Sequence, residues 1–528
     1  MLTRRQFNKL LLSSVLLSSF GCTNLKKKKF IPGTLRLNLG YEPDTLDWSK
    51  ATDAYSFDVI SNIMIGLTKY NNNLEPIPAL AKGWKISSDG KTYNFLLDKS
   101  AKWSDGKPVL ASDFEYGWKR LLNPYTAAPY AYLMYPIKNA KKYNTGKTFD
   151  AGEVGIKALG DDVLQIELET PLAFFLNLTS WCIYFPQRKD LIEKYGDDWT
   201  EPKKLVSCGP FVLDKWQHEY KISLTRNSYY SNPLPDLKEI RYHIVSEQSS
   251  GFSLYLNDEL DYIDTRSIPI SETETVKKMK EATIYPLLRG TYVGFNVNKP
   301  PFDNKLVRAA FSHALDRNVF PKVLGRGEVP AISWIPPGLK DFYSPEIGCK
   351  YNPALAKELL AKAGFPNGNN FPKVTMLFPT REDAKLIAEA SQSLWQKVLN
   401  INVDVVNQEW KVYLTTLQQD PPHIYRMSWG ADYPDPDTFI NLFTSYSGNN
   451  HGRWKNKAYD EIVLGAASTL DLNKRKLMYK KAQKILLEDE IVIAPLFFNT
   501  QILLTKPWVK NFEYNPMDLI FCEKIIVA

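Results

Sequence analysis

The chain has 528 residues, 44% hydrophobic and 23% charged; this is ordinary globular composition but too long for one core, so two or three domains are expected. Its net charge of +8, to which Arg4, Arg5 and Lys9 contribute three, is too mild and too dispersed for a nucleic-acid binder. The five cysteines form no CxxC pair, the five histidines (His218, His243, His313, His423, His451) are scattered, and neither Gly-x-Ser-x-Gly nor His-Glu-x-x-His occurs, so no cofactor or metal is implied and an enzyme is not expected.

The first element is an export signal. Arg4, Arg5 and Lys9 precede a short apolar run from Leu10 to Phe20, followed by Gly21-Cys22. This basic, apolar, small-residue order reads as a signal peptide over 1–21, and the run is too short for a permanent membrane span. A cysteine directly after Gly21 resembles a bacterial lipoprotein signal, in which Cys22 becomes the lipidated first residue, although Ser19 departs from it. Thr3-Arg4-Arg5-Gln6-Phe7 only partly resembles a twin-arginine signal. Residues 22–29, with Lys26 to Lys29, read as a tether.

Thr34-Leu-Arg-Leu-Asn-Leu39 alternates, predicting a half-exposed strand, and Ser56 to Gly66 predicts a short helix. Asp89-Gly90 and Asp105-Gly106 are turn signals around a strand carrying Tyr93, Phe95 and Leu97, and Ser112 or Asp113 can cap a helix through Arg120. Further alternating strands are expected at 163–169, 220–226 and 239–245. Val307, Ala310, Phe311, Ala314 and Leu315 share one helical face, with Asp303 as the expected cap. A helix opens at Asn352-Pro353 and ends at Gly364. A strand at 374–378, a helix at 383–399, a strand at 401–406 and a helix from Lys474 to Leu487 follow, and Pro495 is expected to open the last strand.

The stretch with most chemistry in it is Tyr425-Arg-Met-Ser-Trp-Gly-Ala-Asp-Tyr-Pro-Asp-Pro436. Pro434 and Pro436 stop any regular element, so Asp432 falls where a strand gives way to loop, the usual ligand-binding place in α/β folds. Trp429 and Tyr433 flank it and can exclude water, which suits a carboxylate that grips an ammonium group. A solvated turn aspartate before proline is the plain alternative.

Trp429-Gly-Ala-Asp-Tyr-Pro-Asp-Pro436, with Asn407-Gln-Glu-Trp-Lys411 upstream, resembles the oligopeptide-binding proteins of bacterial ABC importers, extracellular solute-binding protein family 5. Pro78 to Trp84, Trp103-Ser-Asp-Gly-Lys-Pro108, Cys208-Gly-Pro-Phe211 and Lys506-Pro-Trp508 extend the resemblance over nearly the whole chain. It implies an α/β, two-lobed periplasmic-binding-protein-like fold of type II with an additional subdomain. Lobe one would take 30–64, 188–288 and 501–528, the subdomain 65–187, and lobe two 289–500. The ligand would lie between the lobes.

In the resemblance Asp432 grips a peptide's α-amino group. Trp429, Gly430, Tyr433 and Trp410 wall the pocket, Tyr292 and Tyr130 lie beside the peptide, Arg426 serves its carboxyl end, and Asn407-Gln-Glu409 adds polar wall. Ala384, Leu324 and Leu417 stand where the family has a histidine, a lysine and a second arginine, which leaves carboxyl capture and ligand length open. The implied protein is a monomeric lipoprotein at the periplasm or cell surface. It would be anchored through Cys22, bind oligopeptides and serve the permease and ATPase subunits of an ABC transporter. A modified or cell-wall peptide, nickel chelate, haem or glycan as ligand, and a peptide-holding chaperone, are the alternatives. Pairing among Cys182, Cys208, Cys349 and Cys522 is open.

Overall fold

A computed structural model describes residues 30–232 and 236–528. The signal peptide, Cys22 and tether fall outside the described residues. A mixed sheet organises the chain. Its strands run in the order Val403–Gln408, Val374–Pro379, Ile424–Gly430, Ala282–Phe295, Ile493–Thr505, Tyr262–Asp264, Thr34–Asn38, Glu239–His243, Lys221–Arg226 and Phe211–Gln217. Parallel pairs lie at each end, where Val374–Pro379 joins both Val403–Gln408 and Ile424–Gly430, and Thr34–Asn38 joins both Glu239–His243 and Tyr262–Asp264.

Two long antiparallel strands join these ends. Ala282–Pro286 pairs with Thr500–Leu504 beside the half of the sheet that carries Thr34–Asn38, the first half in chain order, and Gly290–Gly294 pairs with Ile493–Phe498 beside the half that carries Ile424–Gly430, the second. The register breaks between Pro286 and Gly290. Pro286 has no N–H to give a ladder, and such irregularities bend and twist a strand pair. Two smaller core clusters lie on either side, Ile263, Ile502 and Leu504 in one and Val293, Phe311, Trp395 and Leu496 in the other, while the largest runs through both halves from Leu35 and Leu37 to Tyr425 and Trp429.

Thr34–Asn38 is buried along its whole length rather than half-exposed. It is a central strand covered on both faces, and its polar residues are paired internally. Arg36 donates to Asp261 at 2.9 and 2.6 Å, and Asn38 donates to the Val245 carbonyl at 2.9 Å and the Ser267 hydroxyl at 2.7 Å. A separate antiparallel sheet is ordered Ala81–Ile86, Thr92–Leu97, Val163–Glu167, Ile156–Ala158, with Tyr93, Phe95 and Leu97 buried on one face as the alternation predicts.

Helix boundaries correct several expectations. The helix Ala111–Leu122 is preceded by Leu110, whose N–H donates to Asp113 at 3.0 Å, so Asp113 closes the first turn from inside. Asn304, not Asp303, caps Lys305–His313 by accepting the Leu306 N–H at 2.9 Å. The expected helix from Lys474 spans Leu472–Lys484 and finishes in a π turn at Ile485–Asp489. Pro495 lies inside Ile493–Thr505, opposite a register slip between Thr291 and Tyr292, and does not open that strand; Ile526–Val527 comes later. Cys182, Cys208, Cys349 and Cys522 are all buried free thiols.

Candidate functional site

A cleft of about 1460 Å³, mouth included, lies between the two halves of the sheet. The first half contributes residues 52–55, 57–58, 265–266 and 517–519, the second contributes Pro379, Arg381, Asp383 and residues 426–432, and Tyr130 and Trp181 enter from 65–187. The strand Ile424–Gly430 aims the last of these. It ends at Gly430, Ala431 donates its N–H to the Leu288 carbonyl at 2.8 Å, and Asp432 follows at the wall.

Asp432 is 6% exposed. Its N–H donates to the Thr438 hydroxyl at 3.2 Å, and the Tyr130 hydroxyl donates to its Oδ1 at 3.4 Å. Among the described residues no lysine, arginine or histidine forms an ion pair with it. Burial therefore disfavours the ionised form and pushes the carboxyl up to about 8, with the Tyr130 hydrogen bond opposing only in part. Its titratable neighbours Tyr70, Tyr130, Tyr132 and Cys182 are held neutral, first by burial and then by the Asp432 charge.

Of the sequence-predicted residues, Trp429, Gly430, Asp432, Trp410, Arg426 and Tyr130 all line the cleft. Trp429 packs against Tyr130 with ring centres 6.2 Å apart, and Trp410 meets Tyr55 edge-on at 5.7 Å. A Cβ on Gly430 would stand 3.1 Å from Arg289 Nε, so glycine leaves room for Arg289 to reach Asp518 at 3.2 Å.

Tyr433 and Tyr292 are not in the lining. Tyr433 turns the opposite way from Asp432, donates its hydroxyl to Asp437 at 2.8 Å and stacks on Phe174 at 5.1 Å. The wall expected of Tyr433 is supplied by Tyr130. Tyr292 is packed behind its strand between Trp334 and Phe443, at 5.0 and 5.7 Å. Asn407, Gln408 and Glu409 are also outside the lining, and Glu409 instead caps the helix Trp410–Gln419.

The structure adds a group that sequence reasoning missed. Asp383 takes Arg381 in a fork at 2.9 Å from both Nε and Nη2, and Arg326 Nη1 lies 3.5 Å away. Burial alone would raise the Asp383 carboxyl, but Arg381, Arg326 and Arg426 together hold it well below the usual carboxylate range. Arg326 also donates across the cleft to the Ile268 carbonyl at 3.0 Å. Nε of Arg326, Nε of Arg426 and the indole N–H groups of Trp181 and Trp410 are buried without a hydrogen-bond partner. Arg266, by contrast, is already matched by Asp58 and Asp264 at 2.6 and 2.5 Å. Among the described residues one wall thus holds a carboxylate with no cation, with the Trp181 indole near Tyr130, and another holds the guanidiniums of Arg326 and Arg426 and the Trp410 indole with N–H donors unmatched.

Such a cleft, between two sheet halves joined by two strands, is the architecture of a solute-binding protein. Residues 75–451 match the family described as bacterial extracellular solute-binding proteins, family 5 Middle, and the chain belongs to that family. It is 34% identical over 496 residues to the oligopeptide-binding protein OppA of Bacillus subtilis, covering 90% of this chain and 89% of that protein. It is 34% identical over 509 residues to the periplasmic murein peptide-binding protein MppA of Escherichia coli, covering 92% of each.

Among solved structures, Escherichia coli MppA superposes with a TM-score of 0.89 at 33% identity, covering 94% of this chain and 98% of that one. Haemophilus influenzae OppA in complex with RPPGFSPFR gives 0.88 at 30% identity, covering 94% and 100%. MppA described as its unliganded open form gives 0.65 over the same shares as the first, 94% and 98%. The chain therefore has the two-lobed, type II fold of the family. No described helix is long and apolar enough to cross a membrane.

Proposed function

We propose that the protein captures short peptides between its lobes and hands them to the permease and ATPase subunits of an ABC transporter, without catalysis. The observation that carries this reading is Asp432, a buried carboxylate in the cleft wall with no cation beside it. A buried charge must be paired, and a ligand's ammonium group is the natural partner. The unpartnered donors of Trp181, Trp410, Arg326 and Arg426 complement it, since they ask for carbonyls and a carboxylate. Native mass spectrometry of the purified protein is expected to find short peptides bound in the cleft. A haem, glycan or metal chelate in their place would overturn the reading.

The lobes would be 30–64 with 188–288 and 501–528, and 289–500, with 65–187 as the added subdomain. The register break between Pro286 and Gly290 supports a hinge close to the 288/289 crossing. The higher superposition on the peptide complex than on the open form fits a closed arrangement. Contacts across the cleft favour it as well. Tyr41 donates its hydroxyl to the Thr380 carbonyl, and Arg381 donates to the Tyr55 hydroxyl at 3.4 Å. Small-angle scattering is expected to give a smaller radius of gyration with saturating trialanine than without it. An unchanged radius would argue against a closing cleft.

A cell-wall peptide is a second reading with its own support. The guanidiniums of Arg326, Arg381 and Arg426 face Asp383 and Glu328, which leaves positive charge for a ligand carboxylate, and identity to the murein peptide-binding protein equals that to OppA. Anchoring would be through lipidated Cys22. A fatty-acid probe fed to cells should label the wild type and not Cys22→Ser, and equal labelling of both would refute the anchor.

A further inference from the structure

The loop that carries Asp432 is held from behind by groups that never reach the cleft. Pro434 and Pro436 have no N–H to donate, so the backbone alone offers this loop few anchors. Two buried aspartates supply them. Asp435 receives Arg475 in a fork, Nη1 at 2.8 Å and Nη2 at 2.6 Å, and its Oδ1 also accepts the Asp437 N–H at 2.9 Å. The Asp437 carboxylate accepts the hydroxyls of Tyr433 at 2.8 Å and Tyr479 at 3.0 Å.

Arg475 and Tyr479 lie one turn apart on the helix Leu472–Lys484 and so face the loop together. Arg475 is fixed in turn. Its Nε donates to the Ala466 carbonyl at 3.0 Å, and its guanidinium lies over the rings of Phe174 and Phe342 at 5.4 and 5.6 Å. Phe174 belongs to the 65–187 segment and stacks on Tyr433, the residue directly after Asp432.

We infer that Arg475, acting through Asp435, is the positioning residue that holds Asp432 against the cleft, and that Tyr433 on Phe174 carries the same constraint to the segment 65–187. The inference rests on the reading of Asp432 as the ammonium anchor. A binding carboxylate is useful only when its geometry is fixed, and a loop without ladder hydrogen bonds sits at the low-stability end of a fold unless something rigid grips it. A bidentate guanidinium–carboxylate pair is directional in a way that apolar packing is not. It explains why Tyr433 and Asp435, neither of them in the cleft lining, sit beside the residue that is.

Calorimetry with trialanine and N-acetyl-trialanine tests the inference. In Arg475→Gln the preference for the free amine should fall about tenfold or more, with affinity for the acetylated probe changed less than about twofold. Arg475→Lys, a point charge without the fork, should recover part of the preference. The proton released on trialanine binding at pH 7 should also shrink, because a loosened Asp432 meets water.

An unchanged preference and unchanged proton release, with only the melting temperature lowered, would overturn the inference. So would equal loss for both probes. Should Arg475→Gln fail to fold, Tyr479→Phe removes the hydroxyl that donates to Asp437 and accepts from Arg475 Nη2 at 3.1 Å, and is judged by the same two readouts. Asp432→Asn in the same series separates the claims. If it leaves the preference intact the anchor reading fails, whereas if it abolishes the preference and the Arg475 variants do not, only the positioning role fails.

Discussion

Asp432→Asn is expected to weaken binding of a free-amine peptide such as trialanine by roughly one to two and a half decades at pH 7. An ammonium drawn into this wall loses its hydration, and the Asp432 carboxylate is the group that compensates it. Breaking a buried pair by removing one partner costs on the order of 3–5 kcal/mol. At pH 7 part of that is offset, because Asp432 with a carboxyl near 8 must first give up its own proton, at about 1.4 kcal/mol per pH unit. The remainder, about 1.6–3.6 kcal/mol, spans roughly one to two and a half decades in affinity.

N-acetyl-trialanine lacks the charge, so it should bind the wild type poorly and lose little in the variant. Calorimetry on the four combinations forms a cycle that isolates the pair from any general damage to the cleft. Equal weakening of both peptides would make Asp432 a scaffold residue and turn attention to a ligand without an amine.

Asp432 was legible in the sequence because two prolines mark the end of a strand and a lone acid there stands out. The strand of Tyr93, Phe95 and Leu97 was legible because it has one wet face. Thr34–Asn38 was not, because a buried arginine partnered by Asp261, far off in the chain, looks locally like an exposed one. Tyr292 and Tyr433 could not be sorted from cleft residues for a related reason: aromatic residues in a strand or turn covered on both sides give no sign of which side is the ligand's. The Asp383 cluster was the largest omission. Arg381-Glu382-Asp383 reads as the acidic first turn of a helix, and Arg326 lies in a distant loop, so only the fold brings their charges together around Arg426. That cluster bears on the doubt raised by Ala384 and Leu417, since cationic groups line the cleft from other positions.

Affinity for an amine-bearing peptide is expected to rise about tenfold between pH 6 and pH 7, level off near pH 8 and fall beyond it, as two protonation equilibria cross. In the ligand-free protein Asp432 keeps its proton up to about 8, so binding an ammonium group at neutral pH expels that proton. Above pH 8 the carboxylate is already ionised but the peptide's α-amino group, with a pKa of about 7.7–8.0, has lost its own proton and must regain it. Release of nearly one proton at pH 6 to 7 should therefore turn into uptake near pH 9.

Titrations in buffers of different ionisation enthalpy read this directly, and Asp432→Asn should abolish the release. Stability follows the same linkage. The folded carboxyl lies above its ordinary 3.8, so the protonated group's contribution is fully present below that value and is lost as pH rises through about 8. Between those limits the native state holds more protons than the unfolded one, and ∂ΔG/∂pH is negative for this group. Saturating peptide should flatten that decline, because it supplies the cation the wall lacks. A pH-independent affinity from pH 6 to pH 8, with no buffer dependence of the binding heat, would mean that Asp432 is ionised before the ligand arrives and that a cation within the protein already compensates it.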